Sequence, residues 1–281
     1  MGIAGHNGYN ALMPVPHLLT PGTPIASGRT AEIYAWGDGR VLKLTRADFP
    51  AHLADQEWEN ARIAWQLGAR APKPIEIIEV AGRRGVVFER LDGQNMIQCM
   101  RHSPLLIRRY ARQLGSLHAE LHKIKAPGLP SRHQRAAWNL ERSTLLPGHL
   151  KAAIYQLLAK LPDEDTICHG DFHPENIILT ERGPVIIDWE GCMHGNPAAD
   201  VARTCLWIRS ALTFQEGPGK WIIRQLGRLF EQAYRAEYTR LAPGQLAQLE
   251  AWIAVLAACR FQEENRRELK HLLPLVEAVA S

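Results

Sequence analysis

The spacing of apolar residues changes near position 91, and this change most constrains the fold. Before it, short apolar runs between turn residues predict about five antiparallel strands and one helix over residues 51–67. The strands are expected at 24–27, 33–36, 41–45, 75–80 and 85–89. After it, apolar residues recur at helical spacing, which predicts helices near 104–124, 148–160, 198–212, 220–240 and 244–272. The chain is therefore expected to be α+β, with an antiparallel sheet lobe and a larger helical lobe.

The same pattern divides the chain into three segments. Residues 1–24, rich in Gly, Pro and Asn, are expected to form an N-terminal arm. Residues 25–91 are assigned to the N-lobe and residues 92–281 to the C-lobe.

Composition excludes several classes of protein. Of the 281 residues, 46% are hydrophobic and 22% charged, unlike disordered or collagen-like chains. Since there is neither an uncharged membrane-spanning run nor a signal-like N-terminus, a cytoplasmic protein without a membrane partner is expected. The net charge of +4 is mild and scattered, which argues against a nucleic-acid partner. The five cysteines form no CxxC pair and are expected to be reduced thiols.

Two short motifs carry the chemistry: HGDFHPEN at 169–176 and IIDWE at 186–190. Phosphoryl transfer needs a carboxylate at the attacking hydroxyl and oxygen ligands for Mg²⁺. Asp171 suits the first role, and Asn176 and Asp188 suit the second, because a hairpin over 176–187 would bring the latter two together. The alternative is that these side chains only cap and connect a buried turn.

The two motifs resemble those of the aminoglycoside phosphotransferase and choline kinase group, whose bilobal fold is protein-kinase-like. The resemblance extends from about Pro24 to about Ser281. It implies that Asp171 is the catalytic base, that His169 braces the loop, and that Asn176 and Asp188 hold Mg²⁺. It also implies that the chain is a small-molecule kinase using ATP.

An ATP-binding set is expected in the N-lobe. Lys43, on the third strand, is the expected anchor for the α- and β-phosphates, although a strand lysine can also extend to solvent. Glu57 and Glu59 both lie on the predicted helix, and Glu59 is favoured as its partner because its spacing resembles the family pattern. The remaining candidates are the phosphate-covering turn with Ser27, Gly28 and Thr30, which holds one glycine only, and the adenine-binding main chain at Glu89 and Leu91.

Three residues of the C-lobe are expected to be structural. The resemblance implies that Asp200 braces the catalytic loop, and His118 and His122 are interpreted as ordinary helix histidines rather than a metal pair. His173 takes the place of a protein kinase lysine, so contact with phosphate or substrate is expected there.

The expected partner is a small hydroxylated acceptor, such as an amino alcohol, sugar, amino acid or aminoglycoside. Missing D-F-G and A-P-E elements argue against a protein kinase. Candidate acceptor contacts are Trp189, Glu190, Trp207, Glu263 and Glu264, with helix core as the alternative for the aromatic residues. From Asp200 onward, nine Asp and Glu against eleven Lys and Arg weaken the case for a polycationic antibiotic.

Two rival functions stay open at this point. One is a catalytically silent nucleotide-binding module that regulates a partner, since fold does not fix function. The other is a dedicated antibiotic-inactivating kinase. The sequence leaves the oligomeric state and the acceptor undecided.

Overall fold

The computed structural model describes residues 21–213, 219–262 and 266–280, without the side chains of 213, 266–268 and 280. These residues form two compact units. The first consists of residues 21–58 and Pro74–Arg90, and the second of Glu59–Lys73 and the described residues from 91 onward. The predicted α+β composition, with a sheet in one part and helices in the other, is confirmed. Of the expected arm, residues 1–20 lie outside the description.

A five-stranded antiparallel sheet dominates the first unit. Its strands are β1 (Ala26–Ser27), β2 (Ala31–Ala35), β3 (Arg40–Thr45), β4 (Pro74–Val80) and β5 (Arg83–Glu89). Their order in the sheet is β1-β2-β3-β5-β4, so β3 is central. Leu42 and Leu44 point into the core of this unit, where Tyr34, Val80 and Val87 join them. Since side chains alternate along a strand, Lys43 lies on the opposite face from these leucines.

Helix α1 (His52–Gln66) follows the third strand and begins in the first unit. Its buried alanines, Ala54, Ala61 and Ala64, recur at helical spacing and mark one face. The helix gives way to a turn at Gly68, whose φ of +83° suits glycine.

The second unit contains five short strands: β6 (Gly93–Asn95), β7 (Thr166–Cys168), β8 (Ile177–Thr180), β9 (Gly183–Ile186) and β10 (Met193–Gly195). One sheet has the order β6-β8-β9, and β7 pairs with β10 in the other. The β8–β9 hairpin is the one that the sequence predicts, with Ile177 opposite Ile186. At one end of this hairpin, the HGDFHPEN motif leads into β8 and the IIDWE motif begins at the last residue of β9.

Helices make up most of the second unit: α2 (Met96–His102), α3 (Ile107–Leu121), α4 (Arg132–Glu141), α5 (Gly148–Leu158), α6 (Pro197–Thr213), α7 (Lys220–Leu241), α8 (Leu249–Cys259) and α9 (Arg266–Ala280). The sequence pattern missed α2 and α4. The start of α2 could nevertheless have been predicted, because Asn95 and Gln98 have the spacing of a capping box and form one. Among the described helices, none is both long and apolar enough to cross a membrane.

One predicted helix is wrong. The expected helix over 244–272 is divided into α8 and α9, with a 3-10 turn at Arg260–Gln262 after the first. Every residue of α8 from Trp252 to Cys259 is buried, so this helix runs through the apolar core. The helix ends at Cys259, and the next residue, Arg260, carries a charge that is costly to bury in an apolar core.

Candidate functional site

An ion pair joins strand β3 to helix α1 within the first unit. Lys43 Nζ lies 2.5 Å from Glu57 Oε2, and the two side chains are only 16% and 6% exposed. Lys43 stands opposite Ile33 and Val86 in the sheet, which fixes the strand register around it. The lysine that the sequence singles out is therefore held in a defined position by a buried carboxylate.

The expected partner of Lys43, Glu59, is wrong. Glu59 is exposed and its carboxylate accepts a hydrogen bond from Arg62 at 2.7 Å. Consecutive helical residues are about 100° apart, so two residues of separation place Glu59 and Glu57 on nearly opposite faces. Glu57 continues the buried face of Ala54 and Ala61, a pattern visible in the sequence. The helical spacing of these alanines therefore identifies Glu57, and not Glu59, as the buried glutamate.

The predicted phosphate-covering turn connects β1 and β2 and is exposed. Its N–H at Gly28 donates to the carbonyl of Ala31 at 2.9 Å, which closes the turn. Arg46 binds this turn from the side, donating to the hydroxyl of Ser27 and, at 3.2 Å, to the carbonyl of Gly28. The sequence did not predict this arginine, which brings positive charge to the turn that carries Thr30.

The predicted adenine-binding positions lie where the chain passes from one unit to the other. Glu89 ends strand β5, paired with Arg40, and belongs to the first unit. Leu91 is half-buried and belongs to the second unit.

Asp171 is held at both carboxylate oxygens. Arg203, on α6, donates to Oδ1 at 3.1 Å, and His173 Nε2 lies 3.1 Å from Oδ2. Burial alone would raise the pKa of Asp171, but the hydrogen bond from His173 and the charge of Arg203 outweigh it and lower the pKa to about 2. The group is thus a fixed carboxylate at neutral pH.

The backbone next to Asp171 is shaped by a glycine. Gly170 has a φ of +84°, and a Cβ there would overlap the carbonyl oxygen of Gly191. Asp200 accepts hydrogen bonds from the N–H groups of His169 at 2.6 Å and of Gly170 at 2.8 Å. The predicted bracing contact between Asp200 and this loop is therefore present in the structure.

A polar network behind Asp200 connects α3 with α7. His118 Nε2 lies 3.1 Å from Asp200 Oδ2, and its Nδ1 lies 2.7 Å from the hydroxyl of Tyr234. One turn later, His122 Nδ1 lies 2.7 Å from the hydroxyl of Tyr238. Burial lowers the pKa of His118 to about 3, so this ring is neutral and can donate one N–H to Asp200.

These groups resemble a metal-ligand set in type, and Asp200 and His118 are paired within the protein, whereas His122 Nε2 is buried 3.5 Å from Asp200 Oδ2 without a hydrogen bond. His118, His122 and Asp200 offer ligand atoms within 4.8 Å of one another. Asp200 already receives two main-chain N–H groups, and the Arg132 guanidinium lies 3.3 Å from its Oδ1. The positive charge that this carboxylate needs is supplied by arginine, in agreement with the interpretation of the two histidines as structural.

Asn176 and Asp188 meet at one end of the β8–β9 hairpin. The N–H of Ile187 donates to the carbonyl of Asn176 at 2.9 Å, which ties the two segments together. His169 adds a bond to the same segment, with Nε2 3.0 Å from the carbonyl of Ile187. Asp188 itself adopts left-handed backbone angles, φ 69° and ψ 66°.

The donor set at this end fits a hard divalent cation. The Asn176 amide nitrogen donates to the carbonyl of Asp171 at 3.0 Å, and its amide oxygen has no hydrogen-bond partner within the described parts of the chain. Carboxylate oxygens of Asp188 and Glu190 lie within 4.8 Å of each other, and such like charges are favoured by a bound cation. Amide and carboxylate oxygens are the ligands that Mg²⁺ prefers.

Among the candidate acceptor contacts, Trp189 is wrong. It is 1% exposed, and its indole N–H donates to the carbonyl of Ile186 at 2.9 Å, so it is a core residue. Trp207 is half-buried and stacks on His173, with ring centroids 4.4 Å apart. Glu263 and Glu264 lie outside the described residues.

Sequence reasoning also missed Arg203. It follows Asp200 by three residues on α6, so the two share a helix face. That spacing was visible, but the contact between Arg203 and Asp171 joins residues 32 positions apart. This contact depends on how α6 packs beside the loop, which the spacing of residues along the chain does not encode.

Comparison with known proteins agrees with this geometry. A model of the Phosphotransferase enzyme family matches residues 21–244. No curated protein matches the chain. Among solved structures, a thermostable mutant of aminoglycoside phosphotransferase APH(4)-Ia, apo form, is 13% identical with a TM-score of 0.63 over 92% of this chain and 93% of that chain.

Two further solved structures share the fold. The amicoumacin kinase hAmiN, in complex with AMP-PNP, Ca²⁺ and Ami, is 17% identical with a TM-score of 0.59, covering 92% of this chain and 87% of that chain. An aminoglycoside-3'-phosphotransferase of type VIII is 21% identical with a TM-score of 0.58, covering 86% and 91%. The family resemblance and the kinase-like fold predicted from the motifs are confirmed. The chain belongs to the Phosphotransferase enzyme family and is a phosphotransferase.

Proposed function

We propose that the chain transfers the γ-phosphate of ATP, with Mg²⁺, to a hydroxyl group of a small molecule. The observation that carries the proposal is Asp171, a carboxylate fixed at both oxygens beside the end of the hairpin with Asn176 and Asp188. A fixed carboxylate next to cation ligands is what phosphoryl transfer to an alcohol requires.

In this proposal Asp171 orients the acceptor hydroxyl and accepts its proton as the bond from the hydroxyl oxygen to the γ-phosphorus forms and the bond to ADP breaks. A pKa of about 2 makes its carboxylate a weak proton acceptor in the resting enzyme. The transition state of phosphoryl transfer is loose, so positioning of the attacking oxygen contributes more than early proton removal. Arg203 and His173 fix the direction of the carboxylate by occupying its two oxygens.

The cation would be held by Asn176 through its amide oxygen and by Asp188 through its carboxylate. When bound, Mg²⁺ offsets the negative charge of the phosphate oxygens. His169 keeps the two segments in place through its bond to the carbonyl of Ile187.

For the nucleotide, we propose the binding residues that the sequence predicted for ATP. Lys43, held by Glu57, would bind the α- and β-phosphates. The turn with Ser27, Gly28 and Thr30 would add backbone N–H groups, and Arg46 beside it would add charge. Main-chain groups of Glu89 and Leu91 are proposed to bind adenine.

The acceptor is proposed to be a small hydroxylated molecule rather than a polycation. Four described carboxylates of the helices after position 196 are each paired with a cationic or hydrogen-bonding side chain. These pairs are Asp200 with Arg132, Glu231 with Arg209, Glu237 with Arg240 and Glu250 with Arg235. A carboxylate that already has a cationic partner is attracted less strongly to the ammonium groups of an aminoglycoside than one without such a partner.

An acceptor panel tests the proposal. Purified chain, Mg²⁺ and ATP are mixed with pools of amino alcohols, sugars, amino acids, nucleosides and aminoglycosides, and ADP release is measured. We expect release that depends on one pool. Asp171→Ala should lower that turnover on the order of 10²-fold or more, because the hydroxyl loses its orienting carboxylate.

The matched control is Asp165→Ala, which removes an exposed carboxylate from the same unit. It should turn over like the unaltered chain. Normal turnover in Asp171→Ala would contradict the assignment of Asp171. Bound ATP with no turnover in any pool would favour the silent regulatory module instead, and a signal confined to aminoglycosides would favour the antibiotic kinase.

A further inference from the structure

Helix α1 sends a buried side chain to the turn that follows Asp188. Asn60 is 4% exposed. Its amide nitrogen donates to the carbonyl oxygens of Glu190 at 2.9 Å, Trp189 at 3.1 Å and Cys192 at 3.4 Å. All of these residues belong to the second unit. One amide group thus contacts three carbonyls of a single short segment.

This segment needs an outside donor. Residues Trp189–Gly191 form a single 3-10 turn that begins directly after Asp188. So short a turn can pair few of its own carbonyls, and the N–H of Cys192 reaches only that of Trp189. A buried carbonyl without a partner is costly, so the Asn60 amide stabilises this conformation of the turn.

The backbone of Asp188 is also unusual. Its φ of 69° lies in the left-handed region, which a residue with a side chain rarely adopts. Such a conformation persists only when the surrounding structure fixes it. The hairpin fixes Asp188 from the preceding side, through the bond between Ile187 and Asn176. Asn60 fixes it from the following side.

We infer that Asn60 is a positioning residue that holds the turn so that the Asp188 carboxylate faces the divalent cation. The inference rests on the proposed function, because it assigns a cation to Asp188. The chemistry of the side chain is specific: an amide donates two N–H groups and is neutral. Aspartate at this position would set its oxygens against three carbonyl oxygens, and alanine would remove the N–H groups that Asn60 donates to them.

Metal binding by Asn60 variants tests the inference. Mn²⁺ serves as the probe, and its binding to the full chain with AMP-PNP is followed by electron paramagnetic resonance. Removal of a group that orients a metal ligand typically weakens metal binding about 10- to 100-fold. We therefore expect Asn60→Ala and Asn60→Asp to bind Mn²⁺ at least about tenfold more weakly than the unaltered chain.

Two controls accompany these variants. Gln66→Ala, at the exposed end of the same helix, should bind Mn²⁺ like the unaltered chain. Asp188→Ala should lose the binding. Asn60→Asp preserves the volume of the side chain but buries a carboxylate against carbonyl oxygens. Asn60→Ser, which keeps one hydroxyl donor, is therefore the third variant, and it should bind Mn²⁺ more tightly than Asn60→Ala. In Asn60 variants whose circular dichroism spectrum and thermal midpoint match those of the unaltered chain, excess Mg²⁺ should restore turnover, because a weakened cation site is filled at higher concentration.

The outcomes separate the inference from the proposed function. Unchanged Mn²⁺ affinity in a folded Asn60 variant, with binding lost in Asp188→Ala, would overturn the role of Asn60 and leave the proposed function intact. No Mn²⁺ binding by the unaltered chain with AMP-PNP would contradict the proposed function itself. Weak binding in Asn60→Ala and Asn60→Asp, with Gln66→Ala normal, supports the inference.

Discussion

Lys43 and Glu57 form an ion pair that is almost removed from water, with side chains 16% and 6% exposed. Glu59 and Arg62 form a second pair on the same helix, with side chains 55% and 41% exposed. Breaking a buried pair leaves an uncompensated charge and costs about 3–5 kcal/mol. An exposed pair contributes about 0–1 kcal/mol. The two glutamates therefore contribute differently to the free energy of unfolding, although they lie only two positions apart in the sequence.

We expect Glu57→Gln to lower the free energy of unfolding by about 3 kcal/mol, because Lys43 keeps its charge and loses its carboxylate. Glu59→Gln, the matched control, should change it by less than about 1 kcal/mol. Urea denaturation of both variants measures this. Glu57→Gln should also raise the KM for ATP. A larger loss of stability in Glu59→Gln would contradict the assignment.

At this scale the sequence predicts the chemistry of a residue better than its partner. The roles proposed for Asp171 and Asn176 follow from residue type and spacing within one loop. Arg203 and Asn60 contact segments 32 and about 130 positions away, and no local spacing encodes such contacts. For Trp189 the residue type misled the prediction. An aromatic ring suggested a contact with the acceptor, but the side chain is buried in the core.

Helices α3 and α7 are joined by buried polar contacts at matching intervals. His118 meets Tyr234 and His122 meets Tyr238, so two side chains four residues apart on one helix face two on the other. The spacing of four was visible in the sequence for both pairs. Their meeting was not, because it depends on how the two helices pack.

This network predicts a dependence of stability on pH. Burial lowers the pKa of His118 to about 3 and also lowers that of His169, while in the unfolded chain both have ordinary values near 6.5. Below that value the unfolded chain binds protons that the folded chain does not. Stability should therefore fall from pH 6.5 to 4.5, by up to about 1.4 kcal/mol per pH unit for each histidine.

His118→Gln should make stability fall less steeply with decreasing pH, because glutamine does not titrate and the unfolded chain then takes up about one proton fewer. His149→Asn, which replaces an exposed histidine on α5, should leave the slope unchanged. Asp200, whose pKa lies well below its usual range, stabilises the fold above about pH 4, so its loss falls outside this window. Equilibrium unfolding at several pH values measures the slope, and equal slopes for His118→Gln and the unaltered chain would contradict the explanation.

At the scale of the whole molecule, the change of pattern along the sequence correctly predicts an antiparallel sheet in the N-terminal part and helices in the C-terminal part. The boundary between the compact units is less simple, because residues 59–73 group with the second unit although they precede β4. A helix that begins in one unit and ends in the other has one continuous apolar pattern. Periodicity along the chain therefore cannot reveal where the packing changes.

The proposed function also makes a prediction for the stability of the whole chain. A ligand that binds only the folded state stabilises it by about 2.7 kcal/mol at a hundredfold excess over its Kd. For a chain of this size, each kcal/mol raises the midpoint of thermal unfolding by about 2–4 °C. We expect AMP-PNP with Mg²⁺ at that excess to raise the midpoint by roughly 5–10 °C.

The comparison of ligands identifies what the stabilisation requires. AMP-PNP with a chelator should give a smaller rise, because the cation contributes to nucleotide binding through Asp188 and Asn176. Asp188→Ala should respond to AMP-PNP alike with and without Mg²⁺, whereas Asp165→Ala should behave like the unaltered chain. An Asp188→Ala variant that keeps the full Mg²⁺-dependent rise would show that the cation binds elsewhere, because a ligand's contribution to stability disappears only when its own binding site is removed.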